Sequence, residues 1–328
     1  MRAMAINHGA AAGRDLSHPP RALTRIVRIA AAVVLLVVSA PACATTIGVT
    51  MSPPVAFMRL LRDSIAEHAA SRGLTVDFAH AADGAGERQI AQVRQFIAAK
   101  VDALLVVPVD AAAGTTITRL AQEADIPLIY MNNGPREDWV AGRVALVLPN
   151  DLVAGRLQMR KLAQMLNGTG RVAILSGHPA HAGAALRTRG VKEVIAEFPG
   201  LRLVAERAAD WDRAKARICV ADWLTRNIAI DAIAANNDEM ALGAAEALEA
   251  AGIPTGRILI GGVDATADGI AAMQRKRLAV TIYQDAAMQA RRAIEDALAS
   301  IWREPVQQYD WVPFELVTDR MSTTHFAR

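Results

Sequence analysis

Ala232–Leu248 reads AIAANNDEMALGAAEAL, a short apolar run, four consecutive polar residues, then a chain of strong helix formers. The apolar run is too short for a helix and fits a strand buried on both faces, and the Ala- and Leu-rich run that follows is a helix. The junction is unusual. One or two polar residues suffice to cap a helix, whereas Asn236, Asn237, Asp238 and Glu239 all crowd into it. Asp238 and Glu239 are expected to serve the helix N-terminus, where the dipole favours negative charge. Asn236 has no evident role.

The same strand–polar–helix unit recurs on both sides of this stretch. Upstream, TIGVTMS (46–52), LTVDFAH (74–80), DALLVVPVD (102–110) and IPLIYMNN (126–133) read as strands separated by amphipathic helices. After VALVLPND (144–151) the succession starts again, with strands at 171–177, 201–210, 230–238, 257–264 and 278–285. Nearly continuous apolar strands alternating with helices specify parallel sheets covered on both faces. The expectation is an α/β protein with two doubly wound parallel-sheet lobes. The chain has 328 residues, 52% of them hydrophobic and 21% charged, which is enough for two ordinary cores.

Residues 1–44 stand outside this pattern. Arg21, Arg25 and Arg28 precede the apolar run Ile29–Ala40, and small residues follow at Ala42 and Ala44. This is the form of a secretory signal with cleavage after Ala44. A membrane anchor needs about 20 apolar residues, more than the run provides. Acylation of Cys43 is the weaker alternative, because Ala40 and Pro41 fit a lipoprotein motif poorly. Residues 1–44 carry five Arg and one Asp, so 31 basic and 32 acidic residues remain beyond them. The basic character therefore belongs to the leader and gives no reason to expect a nucleic-acid partner. With Cys43 removed, Cys219 stands alone as a structural thiol.

In open parallel sheets, ligands bind beyond the carboxyl ends of the strands. The residues there are Met51–Phe57, Asp110, Asn132, Asn133, Gly177–His181, Asp210–Asp212, Asn236–Asp238, Asp264 and Gln284. They offer groups that donate and accept hydrogen bonds, with Phe57 and Trp211 as aromatic faces, as a neutral polyhydroxylated ligand requires. Taken singly, each Asn or Asp reads first as a helix cap, worth about 1 kcal/mol. His178 and His181 have HxxH spacing, but no third ligand accompanies them, so no metal site is expected. No P-loop, nucleophile elbow, HExxH or dinucleotide fingerprint occurs. A binding protein with no cofactor, not an enzyme, is the expectation.

ANNDEMALGA (235–244) resembles a segment of periplasmic sugar-binding proteins of the ribose-binding-protein-like family, which have the type I periplasmic binding fold and are related to the ligand-binding cores of LacI-type repressors. LRTRG (186–190), ADWDRAKA (209–216), GVDATADGI (262–270) and LAVTIYQD (278–285) resemble other ligand-side segments of that family in the same order. The resemblance implies two lobes joined by a three-segment hinge near Pro149–Asn150, Tyr283–Asp285 and Trp311–Pro313. The first lobe would comprise 45–148 plus 285–311, and the second 149–284 plus 312–328. Phe57 and Trp211 would stack on opposite faces of a sugar-like ring. Arg187, Asn132, Asn133, Asn237, Asp264 and Gln284 would hydrogen-bond it, with Asp264 also balancing the charge of Arg187.

The departures narrow the ligand. Ribose-type members carry an Asp-Arg pair where this chain has Asn132–Asn133, and polar or aromatic groups where it has Val55 and Met58. The first-lobe wall is therefore less charged than a ribose site. Ribose is not the expected ligand; a deoxy-sugar, polyol, cyclitol, different pentose or hexose, or a small signal molecule of similar polarity is. The resemblance implies an ABC permease as partner, or alternatively a membrane sensor kinase or chemoreceptor.

Overall fold

The computed structural model describes residues 44–54, 56–135 and 139–317. The signal-sequence reading, Cys43, Val55 and the end of the chain lie outside these residues. In the first part of the chain come β1 (Thr46–Met51), α1 (Phe57–Ser71), β2 (Thr75–His80), α2 (Gly86–Ala98) and β3 (Ala103–Val106). They are followed by α3 (Ala111–Glu123), β4 (Leu128–Met131) and β5 (Val144–Pro149). The second part holds α4 (Asp151–Met165), β6 (Thr169–Ser176), α5 (Ala182–Glu197), β7 (Gly200–Ala208) and α6 (Arg213–Thr225). It continues through β8 (Ala232–Ala235), α7 (Asp238–Ala250), β9 (Leu259–Gly261), α8 (Ala267–Gln274) and β10 (Ile282–Gln284). Last come α9 (Ala286–Ile301), β11 (Tyr309–Val312) and β12 (Phe314–Leu316).

One sheet has the order β11-β5-β4-β3-β1-β2 and another β7-β6-β8-β9, with every pairing parallel. Each reverses its winding once, beside β1 in the first and beside β6 in the second, as doubly wound sheets do. β10 joins the second sheet only through isolated bridges, Gly261 to Val280 and Asp264 to Tyr283, and pairs antiparallel with β12. The chain passes between the two assemblies at three places: β5 to α4, β10 to α9, and β11 to β12.

Strand alternation divides each lobe's core into two layers. Ala103, Leu105, Ile129 and Met131 pack with α1 and α9, while Leu104, Val106, Leu128 and Tyr130 face α2 and α3. In the second lobe Ala173, Leu175, Ile233 and Ala235 face α6 and α7, and Val172, Ile174, Ala232 and Ala234 face α4 and α5. These strand residues are completely buried. A buried Leu or Ile contributes roughly 1.5–3 kcal/mol by leaving water. Cys219 is a buried free thiol in the α6–α7 layer.

The two helices that carry the site's arginine and its carboxylate partner, α5 and α4, touch backbone to backbone. A Cβ on Gly155 would collide with the carbonyl oxygen of Arg187, and one on Gly190 with that of Leu152. Only hydrogen at both positions permits this approach. Gly155→Ala is therefore expected to lower stability by roughly 1–3 kcal/mol, read from denaturant midpoints. It should also weaken ligand binding, since the displaced backbone belongs to Arg187.

Candidate functional site

A cavity of about 320 Å³ lies at the carboxyl ends of the strands of both sheets. Phe57, Asn132, Arg187, Trp211, Asn237, Asp264 and Gln284 all line it, as does Met58. Asn133 is not among the lining residues; it is buried behind them, with its amide on the His181 ring. Phe57 opens α1 and divides its ring between the first-lobe core and the cavity wall.

The backbone around the cavity is strained. Twelve non-glycine residues have positive φ among the described residues, and six of these follow helix C-termini, where a left-handed residue ends the helix. The other six are Ala56, Asn132, Asp210, Trp211, Asp264 and Ala265, all in loops that follow strands. All but Ala265 line the cavity. Each such conformation costs on the order of 1–2 kcal/mol, and strain of this kind clusters where side chains must be aimed. Trp211 illustrates the purpose. Its φ of 65° lays the indole against Gly177 at the end of β6, so closely that a Cβ there would overlap the ring.

Arg187 organises the second-lobe wall. Its Nε donates to Asp151 Oδ1 at 2.7 Å and its Nη2 to Gln284 Oε1 at 2.9 Å. Nη1 donates to the Asn236 carbonyl at 2.6 Å and to Asp264 Oδ1 at 3.4 Å. The guanidinium carbon lies 5.7 Å from the Trp211 ring centroid and 5.4 Å from that of Phe314. Four of five donors are thereby used, leaving one Nη2 hydrogen. Burial works against the charge, but Asp151 and Asp264 more than offset it and hold the group protonated. The closer carboxylate is thus Asp151, the first residue of α4, which the sequence patterns do not single out. Asp264 contributes a longer contact.

Burial raises the carboxyl pKa of Asp264 well above the ordinary range; Arg187 opposes the shift and the nearby Asp238 adds to it. Gln284 is 2% exposed, and its Nε2 has no hydrogen-bond partner among the described residues. Asn237 caps α7 through Oδ1, which accepts from the Met240 N–H at 2.9 Å, leaving its amide nitrogen toward the cavity with only a 3.5 Å contact to the Trp211 carbonyl. Capping and cavity lining are performed by one side chain.

Asp238 and Glu239 lie in the first turn of α7, as expected, and each has a further partner. The cap of α7 is Asn237, and Asp238 is wholly buried with its carboxylate turned to a different element. Oδ2 accepts from Thr266 N at 2.8 Å and Thr266 Oγ1 at 3.0 Å, and Oδ1 from Thr281 Oγ1 at 2.6 Å. Asp238 thus fixes the start of α8 and the approach to β10, while Glu239 pairs with Arg213 at 2.9 Å. Asn236 also acquires a role, its Oδ1 accepting from Gly177 N and Thr188 Oγ1 at 3.1 Å each. No local pattern distinguishes these tasks, because their partners lie tens of residues away.

His181, Ser52 and Asp83 also line the cavity, and Ser52 donates to Asp83. The His181 ring meets Trp211 edge-on, with centroids 5.1 Å apart at 75°. Its pKa is lowered to about 3, by burial first and then by the positive fields of Arg187 and His178.

The matching family model, described as a periplasmic binding protein domain, covers residues 47–301, and the chain belongs to this family of solute-binding proteins. A candidate rhizopine-binding protein of Rhizobium meliloti is 38% identical over 89% of this chain and 95% of that protein. A xylitol-binding protein of Mycolicibacterium smegmatis is 31% identical over 77% of this chain and 71% of that one. Among solved structures, an ABC transporter solute-binding protein from Bacillus halodurans with bound myo-inositol is 35% identical. It superposes with a TM-score of 0.81 over 86% of this chain and 97% of that one.

The His181 shift has a signed consequence. Unfolded chain protonates this ring below pH about 6.5, whereas the folded protein keeps it neutral to about 3. The unfolded state therefore binds more protons in that window, and stability is lost as pH falls through it. The raised Asp151 and Asp264 carboxyls act in the opposite sense. Comparing wild type with His181→Gln isolates the histidine. Wild type should lose more unfolding free energy between pH 7 and 4, and its His181 ring proton should not titrate by NMR between pH 8 and 5.

Proposed function

We propose that this protein is an extracytoplasmic receptor that captures a polyol or cyclitol, or a sugar of similar hydroxyl pattern, and delivers it to an ABC importer. The observation that carries the ligand class is the buried Gln284 Nε2, without a hydrogen-bond partner among the described residues, beside Arg187 and Asp264 with the Trp211 face nearby. Such a set waits for a ring or chain whose hydroxyls both donate and accept. The xylitol and myo-inositol of the two relatives support that class, and the uncharged Asn132 supports a ligand other than ribose.

In this reading Phe57 and Trp211 contact the ligand's C–H surfaces, and Asn132, Asn133, Arg187, Asn237, Asp264 and Gln284 are its polar partners, Asn133 acting from behind the wall. The lobes are 45–148 plus 285–311 and 149–284 plus 312–328, closing about the three crossovers. Export by a signal cleaved after Ala44 belongs to the same proposal, and a single new N-terminus at Thr45 on the exported protein would support it. A membrane sensor in place of the permease is the alternative partner. Co-purification from detergent-solubilised membranes separates the two.

Titration calorimetry with myo-inositol, xylitol, D-allose and D-ribose tests the ligand class. Myo-inositol or xylitol should bind at least tenfold more tightly than D-ribose and raise the melting temperature. Trp211→Ala should weaken that binding by roughly tenfold or more, and Asp264→Asn by roughly 10- to 100-fold. Absence of both heat and thermal shift across the panel sinks the assignment.

A further inference from the structure

The HxxH turn His178–His181 is absorbed neither by a metal site nor by the ligand contacts described above, and its position is informative. It joins β6 to α5 in the second lobe, yet both of its histidines face the first. His178 Cε1 lies 3.5 Å from the position a Cβ on Gly84 would take, in the loop between β2 and α2. His181 receives a hydrogen bond from the amide Nδ2 of Asn133, at the end of β4. The turn is itself held closed: His181 N donates to the His178 carbonyl at 3.0 Å, and Ala180 N to His178 Nδ1 at 3.2 Å. The two rings are thus fixed relative to each other before they meet the first lobe.

We propose that the His178–His181 turn is the closure latch of the cleft, and that His181 is a positioning residue that sets how long the ligand is retained. Its ring meets the first lobe on one side and the second lobe on the other. It accepts from Asn133 of the first lobe, braces the indole of Trp211 edge-on at 5.1 Å, and itself forms part of the cavity wall. A ring can accept from an amide only while it carries a free nitrogen lone pair. Burial and the neighbouring Arg187 and His178 charges keep it neutral. Asn133 is 6% exposed and does not line this cavity; its amide nitrogen sits on the His181 ring behind the wall. Opening the lobes must break the bond between Asn133 and His181, which frees the ring that braces Trp211 within the second lobe. Closed-state contacts of this kind act on dissociation rather than on encounter.

The proposal rests on the binding-protein reading but can be tested apart from its ligand class. In one arm, spin labels on cysteines replacing exposed Arg88 and Ala185, in a Cys219→Ala background, report the distance between lobes with and without myo-inositol. His181→Ala and Asn133→Ala should each reduce the population at the closed separation, while His181→Gln, which retains an acceptor, should restore much of it. In the second arm, stopped-flow Trp fluorescence with whichever polyol of the panel binds should show dissociation roughly tenfold faster in His181→Ala, with association changed less than threefold. Asn133→Ala should be no worse in the double variant than alone. Unchanged closed population and unchanged dissociation in correctly folded His181→Ala overturn the latch, as does a wild type with no closed population under any condition. A closed population that depends on His181 in protein that binds none of the polyols upholds the latch and overturns only the ligand class.

Discussion

A guanidinium taken out of water must be surrounded by acceptors, and that requirement governs the second lobe. Arg187 is 6% exposed, and its acceptors come from the first turn of α4, the end of β8, the loop after β9 and the hinge strand β10. Removing any one would leave part of a buried charge uncompensated, which is costlier than the net value of the contact. The close glycine-mediated approach of α4 and α5 brings Asp151 within reach. The flanking rings of Trp211 and Phe314 exclude water from the two faces. Through Gln284, the same network reaches the strand at which the chain leaves for the first lobe. A ligand that engages Gln284 or Asp264 therefore acts on a group already coupled to the hinge.

The cavity is bought with backbone strain that helix capping partly offsets. Asp110, Asn150, Asp212, Asn237, Thr266 and Asp285 each accept a hydrogen bond from the first turn of a helix. Of these, Asp212 and Asn237 also line the cavity. A cap must sit where a strand has ended and a helix begins, which in a parallel sheet is also where the ligand crevice opens. Capping and binding are therefore not rival explanations for these residues. One oxygen serves the helix while the rest of the side chain faces the cavity.

The legible and illegible parts of the site differ in the range of the interactions behind them. Phe57, Asn132, Arg187, Trp211, Asn237, Asp264 and Gln284 could be named because each lies just beyond a strand or in a family-like segment, and they meet in one cavity. Asp151 could not be distinguished from an ordinary acidic residue in a helix's first turn, since its partner is 36 residues away. In sequence His181 is half of an incomplete metal motif; its contact with Trp211 exists only once the second lobe has folded, and that with Asn133 only once the lobes are side by side. Asp238 sits in the first turn of α7 as its local context predicts, and only the fold turns its carboxylate toward Thr266 and Thr281.

What the sequence determined by itself was the alternation of buried strands and amphipathic helices, the doubling of that pattern and the chemistry gathered at the strand ends. These follow from periodicity and local capping, which depend on residues a few positions apart. Tertiary structure alone decided which carboxylate neutralises Arg187, which asparagine caps and which braces, and where the histidine turn points. Those assignments rest on desolvation and on distances between segments remote in the chain. Neither exists until the sheets have packed.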